Sequence, residues 1–402
     1  MAYKQHCIKI IAESIVVFKE VCIVAKKRAN GEGTIRQRKD GRWEGLYSLN
    51  YKRKSVYGKT QDEVRKKLNK ILNDIDNHSY IANPNISFGA WLDEWLDVYV
   101  KPNVKLSTYG GYERQIRLHI KPEIGRIKLK DLTANTLQKL LNKKRNEGLS
   151  ASSVRGVFKV ISCAYKEAYK NNYVKRNICD LVTLPKEQQR EMRVFTLVEQ
   201  QALQDALEGE RLGIGVLLSL YTGMRIGEIL GLKFSDIDFK ERTVTVRRSL
   251  NRLTLYDNSE KKTDIVISEP KTSNSNRVIP LQKFLIPLLK EHKQMLAVEK
   301  KRVCQLYNDN DFVICNEFGK CIEPRTYQVF FKNMLEKAKI ETTHFHTLRH
   351  TFATRALEFG FDVKVLASVL GHANASTTLN KYAHALPDHK KQSMEKLSSL
   401  YI

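Results

Sequence analysis

His344-Phe-His-Thr-Leu-Arg-His-Thr-Phe-Ala-Thr354 is the stretch on which the reading of this chain turns. On a helix His346, Arg349 and His350 fall at i, i+3 and i+4 and share one face. Two histidines at i, i+4 could ligate zinc. The acidic residue that a zinc peptidase carries between them is absent, however, and Arg349 would repel a cation, so no metal is expected. Upstream lies Tyr221-Thr-Gly-Met-Arg-Ile-Gly-Glu-Ile-Leu-Gly-Leu232. Gly223 punctuates the end of one helix pattern, and Glu228 sits three residues after Arg225, within reach across one turn. Between these two stretches runs Pro270-Lys-Thr-Ser-Asn-Ser-Asn-Arg-Val-Ile-Pro-Leu281, where Lys271 begins a polar turn between two strand patterns. Downstream, Leu370-Gly-His-Ala-Asn-Ala-Ser-Thr-Thr-Leu-Asn-Lys-Tyr382 places His372 after a helix stop and Tyr382 in a new helix pattern. Taken singly, each has a plain alternative: a surface arginine, a solvated turn lysine, a buried tyrosine held by a hydrogen bond.

The rest of the chain narrows the class of molecule. Its 402 residues, 42% of them hydrophobic, are enough for two or three domains with real cores. Lys and Arg number 69 against 44 Asp and Glu, a formal charge of +25. A charge of that size points to a phosphate polymer as partner, with an anionic membrane surface as the competitor. No apolar run is long enough to span a membrane, and the run from Cys7 to Ala25 is broken by Lys9, Glu13, Lys19 and Glu20 and lacks a signal-peptide cleavage site. Seven cysteines without a CxxC pair read as free thiols in a reducing, cytoplasmic setting.

Residues 1–27 are left unassigned. Residues 28–78 are strongly basic, with eleven basic against three acidic side chains between Lys26 and Lys59. Three strand patterns, a hairpin signal at Lys39-Asp40-Gly41 and a capping box at Thr60-Gln-Asp-Glu63 predict a three-stranded sheet with one helix. Arg36, Arg38, Arg42, Lys52 and Lys54 interleave there with aromatic residues, as in a β-ribbon that enters a major groove. Lys105, ahead of a later helix pattern, completes the expected DNA-contacting set. Residues 79–86 read as a linker. Residues 87–185 carry four helix patterns, opened by Ser87, Ser107, Thr133 and Ser150. The aromatic stripe Phe88, Trp91, Trp95 and Tyr99 is expected in a core rather than against bases. Residues 186–193 read as a second linker. Residues 194–402 combine helices with a strand meander over Thr243–Leu250, Ile265–Ser268 and Arg277–Pro280. The expected fold class is multidomain and mainly α with α+β parts.

Together the four stretches resemble the tyrosine recombinase family of the phage-integrase type, most closely the integrases of conjugative transposons. The shared hallmarks are TGxRxxE, a lysine in a β-hairpin turn, HxLRH, then LGH and a following tyrosine. The resemblance implies Arg225, Lys271, His346, Arg349, His372 and Tyr382 as the catalytic set. It also implies an arm-site DNA-binding domain over 28–78, a SAM-like core-site domain over 87–185, a mixed α/β catalytic domain over 194–402 and an exchange tail from about 385. Chemically the set makes sense. Two guanidiniums can fork onto the non-bridging oxygens of a phosphodiester and stabilise charge that a metal holds elsewhere. Tyr382 is the nucleophile and Lys271 the acid for the leaving 5′-oxygen. His346 and His372 hold phosphate oxygens and assist proton movement, and Glu228 orients Arg225. The implied product is a 3′-phosphotyrosine, which stores the bond energy, so neither cofactor nor metal is needed.

The expected activity is site-specific recombination that integrates and excises a mobile element through a Holliday junction. Its expected partners are double-stranded DNA at core and arm sites and further copies of the chain as dimer or tetramer, with room for an excisionase or a DNA-bending host protein, and no membrane. The expected location is the bacterial cytoplasm. A type IB topoisomerase shares the chemistry but not the arm-like domain. A non-catalytic regulator would have lost one of the six residues. An RNA-binding protein would show a signature not found here.

Overall fold

The computed structural model describes residues 33–49, 52–76, 83, 85–187, 192–256, 262–268, 276–372 and 374–382. Three expectations therefore lie outside the described residues: the segment 1–27, Lys271, and the tail from about 385. The chain clusters into two units, 1–100 with 113–186 and 101–112 with 187–402.

In the first unit, β1 (Thr34–Gln37), β2 (Trp43–Leu49) and β3 (Lys52–Gly58) form an antiparallel sheet in that order. Gly41 takes the positive φ that the first hairpin needs. Helix α1 (Gln61–Asp76) starts where the Thr60 hydroxyl accepts from the Glu63 N–H, and Glu63 accepts in turn from the Lys59 N–H. The helix buries Val64 and Leu68 on the sheet, and Gly45 lets it come close, since a Cβ there would lie 2.8 Å from Val64.

A helical array follows: α2 (Phe88–Glu94), α3 (Leu106–Gln115, of which residues 106–112 cluster with the second unit), α4 (Lys121–Ile124), α5 (Ala134–Asn146) and α6 (Ala151–Lys170). Ser87, Thr133 and Ser150 cap α2, α5 and α6 through their hydroxyls. Helix α3 begins at Leu106, so Ser107 sits inside its first turn rather than opening it. Trp95–Val100 and Ile116–Ile120 are π-helical turns continuing α2 and α3, a widening that hydrophobic spacing does not reveal. Phe88, Trp91 and Trp95 are core, and the Trp91 indole donates to the Ala164 carbonyl at 2.9 Å.

The second unit holds α7 (Leu197–Leu207), α8 (Gly213–Thr222), α9 (Ile226–Leu230), α10 (Leu285–Val303), α11 (Pro324–Lys337), α12 (His346–Glu358), α13 (Val363–Leu370) and α14 (Ala375–Tyr382). Helix α8 is apolar nearly all round and lies in the middle of the largest core. Strands β4 (Ile237–Asp238), β5 (Thr243–Val246) and β8 (Arg277–Pro280) form one antiparallel sheet, and β6 (Ser249–Thr254) pairs with β7 (Thr263–Ser268) in another. The strand expected over Thr243–Leu250 is thus two strands, broken at Arg247-Arg248, each in its own sheet. Lys271 falls between β7 and β8, which pair with β6 and β5 and not with each other. Among the described residues no helix is long and apolar enough to cross a membrane.

Candidate active site

The site is built where three helix ends meet. Helix α8 stops at Gly223, whose φ of 68° turns the chain sharply. Two residues later Arg225, in extended backbone, leads into α9. The Glu228 carboxylate closes this turn by accepting from the Arg225 backbone N–H at 2.9 Å and from its guanidinium at 2.9 Å. The Arg225 side chain keeps 41% of its surface exposed.

Glu228 has a second partner that sequence reading missed. Arg277, the first residue of β8, forks onto its two carboxylate oxygens at 3.2 and 2.8 Å. The same guanidinium donates through Nε to the Val369 carbonyl at 2.6 Å, near the end of α13. Burial alone would raise the Glu228 carboxyl. The Arg277 hydrogen bonds and the charges of Arg277 and Arg225 outweigh it and hold the group at about 2. Arg277 thus ties β8, the turn carrying Arg225 and the end of α13 together. The only sequence signal for it was a charged residue opening a short strand pattern.

Arg349, on α12, is 1% exposed. One guanidinium nitrogen donates to the Gly223 carbonyl at 2.8 Å. The other donates to the Leu370 carbonyl at 2.6 Å and to His372 Nε2 at 3.0 Å. Burial, with the nearby Arg225 charge, lowers the Arg349 pKa to about 9, which leaves it cationic at neutral pH. Because arginine only donates, His372 Nε2 must accept. The His372 proton then sits on Nδ1 and is directed to the Thr378 hydroxyl, 2.7 Å away. One tautomer of His372 follows from its neighbours, and Thr378 is a second residue that sequence reading did not single out.

Tyr382 ends α14 and is 1% exposed, packed among Ala353, Ala356, Leu357, Leu366 and Leu370. Burial raises its phenol pKa, while the charges of Arg349 and Arg225 pull it down. Its hydroxyl lies 2.8 Å from His350 Nδ1. His346 is exposed and stacks edge-on against His350, with ring centroids 4.6 Å apart. Arg225, His346, Arg349, His372 and Tyr382 are therefore brought to one place from positions up to 157 residues apart in the sequence.

The expected DNA-contacting residues divide by strand parity. Gly45, Val56 and Gly58 point toward α1. Alternation then sends Lys52 and Lys54 to the α1 side, and Arg36 with Arg53 to the opposite face. There Arg36, 62% exposed, pairs with Glu44 at 2.8 Å, and the Tyr57 hydroxyl donates to the same carboxylate. Arg42 is bound to Asp40 at 2.7 Å, and Arg38 lies over the Tyr57 ring. Lys105 immediately precedes α3.

The phage integrase family pattern matches residues 193–389, and the N-terminal SAM-like domain of phage integrases matches residues 87–145. A XerC-like tyrosine recombinase of Caldanaerobacter subterraneus subsp. tengcongensis is 32% identical over 361 residues, covering 87% of this chain and 92% of that protein. In structure, the Tn1549 transposon integrase bound to transposon right end DNA superposes with a TM-score of 0.66 at 22% identity, over 78% of this chain and 99% of that one. A lambda integrase tetramer bound to a Holliday junction gives a TM-score of 0.52 at 18% identity, over 88% and 96%. With the arginines, histidines and terminal tyrosine of the site gathered as described, these likenesses agree that the chain belongs to the phage integrase family of tyrosine recombinases.

Proposed function

We propose that this site-specific recombinase cuts and rejoins DNA through Tyr382, and that the reaction integrates and excises a mobile element of the conjugative-transposon kind. The observation that carries the reading is the convergence of Arg349, His372 and the Tyr382 phenol from three separate helix ends. Arg225 and Arg349 bind the non-bridging oxygens of the scissile phosphate and stabilise the charge of the pentacoordinate transition state. Tyr382 attacks phosphorus, giving a 3′-phosphotyrosine and a free 5′-hydroxyl. Lys271 protonates the leaving oxygen. The exposed His346 supplies a further hydrogen bond to the phosphate, and His372, held between Arg349 and Thr378, keeps the Arg349 guanidinium aimed. Glu228 fixes Arg225 in place. Residues 28–78 bind arm sites, 87–185 bind core sites, 194–402 carry the chemistry, and the segment from about 385 links protomers in a dimer or tetramer on DNA. An excisionase or DNA-bending host protein sets direction, and the bacterial cytoplasm is where the protein works.

The test uses a nicked duplex that traps the covalent complex, built from the inverted repeats flanking the gene. The parent protein is expected to give a covalent band, and Tyr382→Phe to bind equally well and give none. A band from the variant would refute the assignment. Relaxation of a supercoiled plasmid that lacks any such repeat would favour a topoisomerase instead.

A further inference from the structure

The motifs give His346 and His372 a share in proton movement, but the imidazole set directly against the Tyr382 hydroxyl is that of His350, with His346 edge-on behind it. His372 is poorly placed to take the phenolic proton, because Nε2 accepts from Arg349 and Nδ1 is directed to Thr378. Arg225 and Arg349 only donate. His350 is different: its Nδ1 stands 2.8 Å from the Tyr382 hydroxyl oxygen, within direct proton-transfer range. The ring is held in that attitude from two sides, edge-on to His346 and tilted 57° to the Tyr382 ring at 5.8 Å. Burial keeps the phenol protonated at neutral pH, so its hydroxyl can donate to Nδ1 of the His350 tautomer that carries its proton on Nε2.

We propose that His350 is the general base for Tyr382, a catalytic residue beyond the six that the motifs mark; the proposal rests on Tyr382 being the nucleophile. In cutting, the bond between the Tyr382 oxygen and phosphorus forms and the bond from phosphorus to the 5′-oxygen breaks. The phenolic proton passes to His350 Nδ1, and the departing 5′-oxygen takes its proton from the general acid. Rejoining runs the same transfers backwards, so the imidazolium returns its proton to the tyrosine as it leaves. The negative phosphate entering beside Arg349 offsets the repulsion between that guanidinium and the new imidazolium. Neighbouring positions on α12 thus divide the work: Arg349 holds charge on the phosphate, and His350 moves the proton.

The test measures single-turnover covalent complex formation on the nicked duplex, with DNA binding followed in parallel. Full-length His350→Ala is expected to bind as the parent does and to cleave about 10²- to 10³-fold more slowly. Added imidazole should accelerate that variant at least about tenfold and leave the parent unchanged, a response that a lost packing contact would not give. His350→Asn keeps a hydrogen-bonding group near the hydroxyl but cannot carry the proton, and is expected to be at least about 10²-fold slow. Near-parental cleavage by either variant overturns the proposal, as does a slow His350→Ala that imidazole leaves unchanged. Should His350→Ala lose DNA binding, His350→Asn decides by the same criterion. A covalent band from Tyr382→Phe would strike at the nucleophile instead, so the two failures are told apart.

Discussion

Glu228→Gln removes one negative charge from between two arginines while keeping the side chain's shape. In the native site the carboxylate accepts four hydrogen bonds, two from Arg277, one from the Arg225 guanidinium and one from the Arg225 backbone. A glutamine cannot accept at all of these, and its NH2 would face a guanidinium that only donates. A carboxyl held at about 2 instead of its usual 4.5 corresponds to about 3 kcal/mol of stability at neutral pH. That lies at the lower edge of the roughly 3–5 kcal/mol found when one partner of a buried ion pair is removed. The folded-state pKa is depressed, so this stability is fully present above about pH 5 and is lost as pH falls through 4.5 toward 2. Urea unfolding at pH 7, 5 and 3 measures it. The gap between parent and variant should be about 3 kcal/mol at pH 7 and 5 and shrink markedly at pH 3. At pH 7 the thermal midpoint should drop by about 6–12 °C for a unit of this size. A drop under about 2 °C, or a gap that does not close with acid, would refute the argument.

Arg225→Lys keeps the charge but loses the fork, so strand cleavage should fall at least about 10²-fold with DNA retardation nearly unchanged. Gly223→Ala forces an L-residue to positive φ and puts a Cβ 2.6 Å from Phe352 and 2.7 Å from Leu370. We expect about 2–4 kcal/mol of destabilisation by urea unfolding, with cleavage impaired because the Gly223 carbonyl anchors Arg349. Changing Arg36 and Arg53 together to Ala should flatten the salt dependence of arm-site binding by about two phosphates' worth, while Lys52 and Lys54 together should flatten it less. Titrating salt in a filter-binding assay distinguishes these outcomes.

Much of this was legible because its signals are local. The hydroxyls of Ser87, Thr133 and Ser150 cap helices where the sequence placed them, and Gly223 and Gly371 stop helices where a residue without a Cβ is needed. The four motif stretches point to one chemistry, although nothing within any of them shows the others nearby. What escaped is what depends on distant neighbours. Arg277 meets Glu228 across 49 residues, and no spacing rule reaches that far. His346 and His350 share a helix face, but which of them meets Tyr382 is fixed only when α14 packs against α13. Lys52 and Lys54 looked equivalent to Arg36 until the register of β2 and β3 set their parity. The π turns after α2 and α3 kept the apolar spacing of ordinary helix and left no trace in it.

With Tyr382 1% exposed, a phosphate reaches its hydroxyl only once the packing that covers it opens. The Tyr382 ring is at the same time a core residue under α13 and, in the proposed mechanism, the chemical tool. A protein that searches DNA touches very many wrong phosphates for each correct one. With the tool kept inside the core, contact alone does not make a nick. If that opening takes about 3 kcal/mol, under about 1% of molecules are armed at any moment. The right DNA, by contributing binding energy that only the opened form collects, raises that fraction. The apolar packing around Tyr382 thus works as a safety catch, and its strength sets how much the site must contribute before a strand is broken.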